Sequence, residues 1–231
     1  GDGGASLPGA GFKVLRADPQ VLVVEKDAGL LTVPGVGPEK ADCLLSRLRA
    51  EGYTGVKNVV HRLDRDTSGL LVLGRTKLAH RALVAQFRER SVGKLYEALV
   101  WGWPDAEGGE TEGDIGKVRA EPDQPARMAI VPAGSGGKPS VTRWRVLVRY
   151  EPGSGGAAAR CARVALEPLT GRGRQLRLHM AALGHPLLGD TMHGGGAAAE
   201  AMPRLCLHAS ELRFAHPATG EAVVAASPVP F

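Results

Sequence analysis

Val21, Leu22, Val23 and Val24 form an unbroken apolar run that, with Glu25, predicts a buried strand, and the glycines and prolines from Gly29 to Pro38 predict the loop after it. Ala41, Leu44, Leu45 and Leu48 then recur at helical spacing. Val59 and Val60, a polar segment beginning at His61, and Leu70 to Leu73 predict strand, loop and strand, which hangs the polar segment between two core elements. Between Lys77 and Arg90, Ala79, Leu83 and Phe87 come four residues apart and predict an amphipathic helix whose other face is basic and polar. Lys94 to Trp101 predicts another strand.

From Val141 to Tyr150 the residues alternate, with Trp144, Val146, Val148 and Tyr150 on one face and Arg143, Arg145 and Arg149 on the other. That arginine row suits a solvated outer face or an anion-contacting one. Arg163 to Leu166 predicts a short strand, and Arg174 to Leu183 a helix stopped by Gly184, with Leu176, Met180 and Leu183 as its buried stripe. Glu151 to Arg160 and His193 to Ala201 are rich in glycine and alanine and are expected to be loops. Gly1 to Gly11 has almost no apolar content, so a flexible leader is expected there and folded structure from Phe12.

A chain of 231 residues with 43 % hydrophobic residues can bury a sizeable core, as one large domain or two lobes. The net charge of +5 suits a polyanionic partner without demanding one. Cys43, Cys161 and Cys206 lie far apart without a CxxC pair, so reduced thiols are expected and neither a disulfide framework nor a zinc ribbon is suggested. No apolar run is long enough to cross a bilayer as a helix, so no membrane association is expected.

The segment His61-Arg62-Leu63-Asp64-Arg65-Asp66-Thr67-Ser68-Gly69-Leu70 sets Asp64 among arginines ahead of an apolar run. A neighbouring guanidinium favours the ionised carboxylate, which suits a nucleophile or base better than a proton donor. Asp66 is a second acid in the same segment, but two carboxylates so close in sequence do not readily flank a sugar as a glycosidase pair does, and Asp66 reads as a turn former. The histidines form no HExxH pattern, and His179, His185 and His193 sit among apolar or glycine residues as structural histidines do, so no metal is implied. Ser68 lies near His61 and Asp64 without a GxSxG elbow, and no P-loop or dinucleotide fingerprint is present.

The string HRLDRDTSGLLVLGRT resembles the active-site signature of the RluA-type pseudouridine synthases. Further similar motifs follow in order: GLLTVPG from Gly29, QFRER from Gln86, KLYEALVWGWP from Lys94, GKPSVTRW from Gly137, LTGRGRQLRLHMAALGHPLLGD from Leu169 and RLCLHASELRFAHPATG from Arg204. The resemblance implies an α+β fold, an extended mixed sheet in two halves flanked by helices and loops with the active-site cleft between them, and one catalytic domain over residues 12–231. It is closest to short members of the family that lack a separate N-terminal RNA-binding domain. It implies isomerisation of uridine to pseudouridine in structured RNA, ribosomal or transfer, by base flipping and aspartate-dependent cleavage and re-formation of the glycosidic link.

Under that resemblance Asp64 is the catalytic carboxylate, as nucleophile at C1′ or base at C2′, Arg177 is its cationic partner, and Tyr96 stacks on the flipped uracil. Arg62 fills the place the base leaves. Arg65, Arg172, Arg174 and Leu176 complete the expected RNA-binding set, with Arg172 and Arg174 placed for phosphate at the start of a helix. The partner implied is RNA in stem-loops, with no cofactor and no metal, and a monomer is expected. Gly173 and Arg174 depart from the serine or threonine followed by histidine usual in the family, and Asp27 stands where proline is common. The competing reading is an RNA-binding protein that keeps the fold without turnover.

Overall fold

Asp18 turns the chain at the start of the ordered fold: its Oδ1 accepts hydrogen bonds from the amides of Gln20 (2.9 Å) and Val21 (2.8 Å). This Asx turn joins β1 (Phe12–Ala17) to β2 (Val21–Lys26), and β2 pairs in turn with β3 (Ser68–Gly74), both antiparallel. These features come from a computed structural model that describes residues 9–56, 59–119, 121, 123, 126–153 and 159–231. Most of the expected leader, residues 1–8, and the middle of the expected Glu151–Arg160 loop lie outside the described residues.

The chain divides into two compact units, Gly1–Lys94 with His208–Pro230, and Leu95–Leu207 with Phe231. In the first, α1 (Leu44–Ala50) and α2 (Lys77–Arg88) accompany β1, β2 and β3. All seven residues of β3 are buried, as its run of leucine and valine requires of a strand covered on both faces. Leu70 and Val72 of β3 join Val21 and Val23 of β2 and Leu83 of α2 in one apolar cluster. Each such fully buried side chain contributes about 1.5–3 kcal/mol. Val59 and Val60 do not form the expected strand, because neither pairs in a sheet; Val60 instead packs its side chain against this cluster.

In the second unit, β4 (Gly93–Trp101), β5 (Gly108–Val118), β6 (Arg127–Val131), β7 (Lys138–Tyr150) and β8 (Cys161–Pro168) form an antiparallel array in the order β4-β8-β7-β5-β6. The alternation expected along β7 holds from Thr142 to Val146 and then breaks at a bulge between Val146 and Val148. The extra residue reverses the faces, so Val148 is 43 % exposed and does not join Trp144 and Val146 in the core. The arginine row is largely neutralised by acids: Arg143 pairs with Glu110 (2.7 Å) and Glu167 (3.2 Å), and Arg149 with Glu107 (2.7 Å).

Helix α3 (Gln175–Ala182) follows β8 and ends in a Schellman motif, with His185 N bonded to Met180 O and Gly184 N to Ala181 O around Gly184 at φ 82°. Leu176 and Met180 are buried as expected, but Leu183 is the C-cap residue, where the chain turns away, and is 37 % exposed. The Ala-rich stretch expected to be loop contains α4 (Gly195–Glu200), since alanine has the highest helix propensity and Ala198 finds a buried seat. Returning to the first unit, β9 (Leu207–Ala215) runs parallel to β3 through Ser68 and Gly69, and β10 (Ala222–Ala226) pairs antiparallel with β9. Ten strands of mixed direction and four α-helices among the described residues make the fold α+β, as expected.

Candidate active site

The loop carrying Asp64 is pinned on both sides of that residue. Upstream, the His61 ring stacks on Phe87 with centroids 4.5 Å apart, and its Nε2 accepts the amide of Val72 (3.1 Å). Burial, helped by the charge of Lys94, pushes the His61 pKa down to about 3, so the ring stays neutral and keeps the lone pair that this bond needs. Leu63, 3 % exposed, exchanges two hydrogen bonds with Thr32: the hydroxyl donates to its carbonyl (2.8 Å) and accepts from its amide (3.3 Å).

Downstream, the carbonyl of Arg65 accepts from the amide of Gly29 (2.8 Å) and from Lys26 Nζ (3.0 Å). Lys26 is fully buried, and its ammonium also donates to the carbonyls of Asp27 (2.7 Å) and Leu30 (2.8 Å). The amide of Thr67 closes a turn on the carbonyl of Asp64 (3.2 Å). Ser68 Oγ then meets His208 Nδ1 (2.8 Å), whose Nε2 meets Ser227 Oγ (2.9 Å). Gly69 is required where it stands: its φ is 111°, and a Cβ there would sit 2.4 Å from the carbonyl oxygen of Ala209. Between these anchors Asp64 is half-buried, while Arg62 and Arg65 are exposed and Arg65 pairs with Asp66 (3.0 Å).

Lys26→Met is expected to lower isomerase turnover about 10²-fold, because a displacement of about 1 Å at a reacting group costs that much. It also strands buried carbonyls, at about 1–3 kcal/mol of stability. Turnover measured beside thermal denaturation checks both effects, and a variant as active as the wild type would show that the clamp does not position Asp64.

The remaining sequence-predicted residues belong to the second unit. Tyr96, on β4, is partly buried against the cluster that holds Leu176, which is 6 % exposed. Arg177 is 4 % exposed on α3, and its guanidinium makes a bidentate pair with Asp190: Nε donates to Oδ2 (2.7 Å) and an Nη to Oδ1 (2.5 Å). Burial works to raise the Asp190 carboxyl, but the Arg177 bonds and charge and the amides of Met192 and His193 outweigh it and hold it below the ordinary carboxylate range.

At the start of α3 the amide of Arg172 is already taken by Gln175 Oε1 (3.0 Å). Arg174 is the N-cap residue at φ 59°, left-handed although not glycine, and it caps with no side-chain bond. His179 is satisfied at both nitrogens, by Thr142 (2.9 Å) and Ser140 (3.0 Å), and the buried Gln175 bonds to Thr142 (3.0 Å) and Thr170 (2.7 Å). The three cysteines are free and buried. Among the described residues no three His, Cys, Asp or Glu side chains are grouped to hold a metal ion, and no helix is long and apolar enough to cross a membrane.

Sequence reasoning missed Lys26, Thr32 and Asp190. A lysine closing an apolar strand and an acid at the end of the Leu187-Leu188-Gly189-Asp190 run were the available signals.

The profile of the family described as RNA pseudouridylate synthase matches residues 20–182. A solved human protein, RNA Pseudouridylate Synthase Domain Containing 1, superposes with a TM-score of 0.78 at 30 % identity, over 98 % of this chain and 87 % of its own. The chain belongs to the RNA pseudouridylate synthase family, and its activity is that of an isomerase. Two relatives refine this: the dual-specificity RNA pseudouridine synthases RluA of Pasteurella multocida strain Pm70 and Escherichia coli strain K12 are 40 % and 41 % identical over 218 residues, 94 % of this chain and 93 % of each relative. Within the family the chain falls in the RluA group.

Proposed function

We propose that the chain isomerises particular uridines in stem-loops of ribosomal RNA, transfer RNA or both, with residues 12–231 serving as its catalytic domain. The Asp64 carboxylate acts at the ribose of an everted nucleotide. It either adds to C1′ as the C1′–N1 bond breaks and is displaced again when C5 attacks C1′, or removes the C2′ proton as the C1′–N1 bond breaks and returns it to C2′ as C5 bonds to C1′; between cleavage and attack the uracil turns, and afterwards the C5 proton leaves and N1 is protonated. Arg177 supplies the cation that a catalytic carboxylate in a desolvated site needs. Tyr96 stacks on the flipped base, a contact worth about 1–3 kcal/mol. Arg62 takes the vacated place in the RNA, Arg65, Arg172 and Arg174 meet phosphates, and Leu176 lies beside the bound nucleotide.

The observation that carries this reading is the Asp64 loop, anchored through Thr32, Lys26 and Gly29 while its carboxylate-bearing residue stays half-buried. A rigid carrier with an accessible acid is what near-attack geometry demands. The dual specificity of the two named relatives supports two classes of RNA substrate. The test is release of tritium from RNA labelled at C5 of uridine, offered as ribosomal and as transfer RNA. Release from both, with pseudouridine recovered from the digest, is expected; binding without release from either would favour the non-enzymatic reading.

A further inference from the structure

One dense stretch of positive charge lies along and beside helix α2. From Arg75 to Arg90 stand five basic residues, Arg75, Lys77, Arg81, Arg88 and Arg90, against the single acid Glu89, in a chain whose whole net charge is +5. Helix α2 turns Lys77, Arg81 and Arg88 outward. Lys77, Arg81, Val84 and Arg88 recur every three or four residues, are all exposed and so share one stripe, with Leu78 beside it 76 % exposed.

Several arginines elsewhere are matched by acids: Arg47 by Asp42 (2.6 Å), Arg143 by Glu110 (2.7 Å), Arg149 by Glu107 (2.7 Å) and Arg213 by Glu211 (2.6 Å). On this stripe the sole ion pair among the described residues is the loose one between Arg88 and its neighbour Glu89 (3.6 Å). Lys77 and Arg81 are like charges at helical spacing, an arrangement that slightly weakens the helix carrying it. Exposed cations aligned on one helix face with so little acid beside them point to a partner that brings the negative charge.

The stripe also leads to the candidate site. Phe87, in the last turn of α2, stacks on His61, three residues ahead of Asp64. From Lys77 to Arg88 the helix runs about 16 Å, the reach of several successive phosphates along one strand. An anionic membrane would call for a broad apolar face, and the stripe offers only Leu78 and Val84.

We propose that the outer face of α2, Lys77, Arg81 and Arg88 with Arg90 beyond them, docks the phosphodiester backbone of the RNA substrate next to the nucleotides that enter at Asp64. The inference rests on the reading of the chain as an enzyme of structured RNA. It adds a binding surface outside the Asp64 loop and outside α3.

The test compares two triple variants that remove equal charge. One is Lys77→Gln/Arg81→Gln/Arg88→Gln, which keeps good helix formers at exposed positions. The other is Arg16→Gln/Lys138→Gln/Arg160→Gln, exposed residues outside α2. Each is assayed by tritium release from transfer RNA labelled at C5 of uridine, and by affinity for that RNA across a series of salt concentrations. The α2 variant is expected to raise KM about tenfold or more, and to flatten the slope of log affinity against log salt by about 0.7–0.9 per lost contact. The control variant should match the wild type in both. Equal behaviour of the two triples would overturn the docking surface while leaving the enzyme reading intact. Absence of tritium release by the wild type from any RNA would overturn the enzyme reading and this inference with it.

Discussion

Asp64→Asn is expected to cut isomerase turnover by at least about 10⁴-fold, the order of loss seen when a catalytic group with no substitute is removed. Asparagine keeps the size and shape of the side chain but cannot add to C1′ or take a proton from C2′. The fold should survive, because the loop has anchors besides the Asp64 side chain. Thr67 bonds to the backbone carbonyl of Asp64, Thr32 to Leu63, and Lys26 to the carbonyl of Arg65. Affinity for RNA should stay near that of the wild type, since the cations expected to meet phosphate are untouched. Tritium release and RNA binding measured on the same preparation check the two halves. Full turnover by the variant would remove the carboxylate from the chemistry, and joint loss of binding and turnover would make Asp64 a structural residue.

Much of the fold was legible because its strongest elements are its most apolar. The runs at Val21 and Leu70 became β2 and β3, and the four-residue spacing of Ala79, Leu83 and Phe87 became α2. What escaped is where polarity or irregularity carries the structure. Strand β5 buries only Ile115 and Gly116, so its sequence shows no alternation, and its pairing with β6 and β7 makes it a strand. The bulge in β7 inserts one residue that a period of two does not reveal. On α3, Gln175, Arg177 and His179 are buried as deeply as leucines because each finds hydrogen-bond partners, whereas a hydrophobic pattern assigns such residues to water.

The same asymmetry runs through the site. Asp64, the proposed catalytic carboxylate, stood out because it lies in a dense local motif. Lys26 and Thr32 did not, because their importance lies in contacts with residues more than thirty positions away, 39 for Lys26 to Arg65 and 31 for Thr32 to Leu63. Asp190 was hidden for a further reason: a lone acid in a Gly-Asp turn looks like a surface turn former, and only burial turns it into the partner of an arginine.

That burial makes Asp190 the position where stability and activity can be pulled apart. Asp190 and Arg177 are 1 % and 4 % exposed in the side chain, so removing one charge takes from the other its bidentate ion pair in a buried place. Asp190→Asn is expected to cost about 3–5 kcal/mol of stability. Activity should fall by about 10²-fold or more as the guanidinium loses its bidentate seat. The carboxyl is held below its ordinary value of 3.8 in the folded chain, so the unfolded chain binds the proton more readily. The stabilisation is therefore fully present above that ordinary value and is lost as pH falls through the lower folded one, and the gap between wild type and Asp190→Asn should narrow in acid. Replacing both partners, Arg177→Met with Asp190→Leu, removes both buried charges and should recover most of the lost stability, since well-packed apolar residues substitute for a buried ion pair at little cost. It should recover no turnover, because the cation is gone. Denaturation midpoints and tritium release on the two variants read these outcomes separately. A stable and active double variant would show that Arg177 is only a structural residue, whereas a stable and inactive one would support the proposed role of Arg177 in catalysis and of Asp190 in holding it.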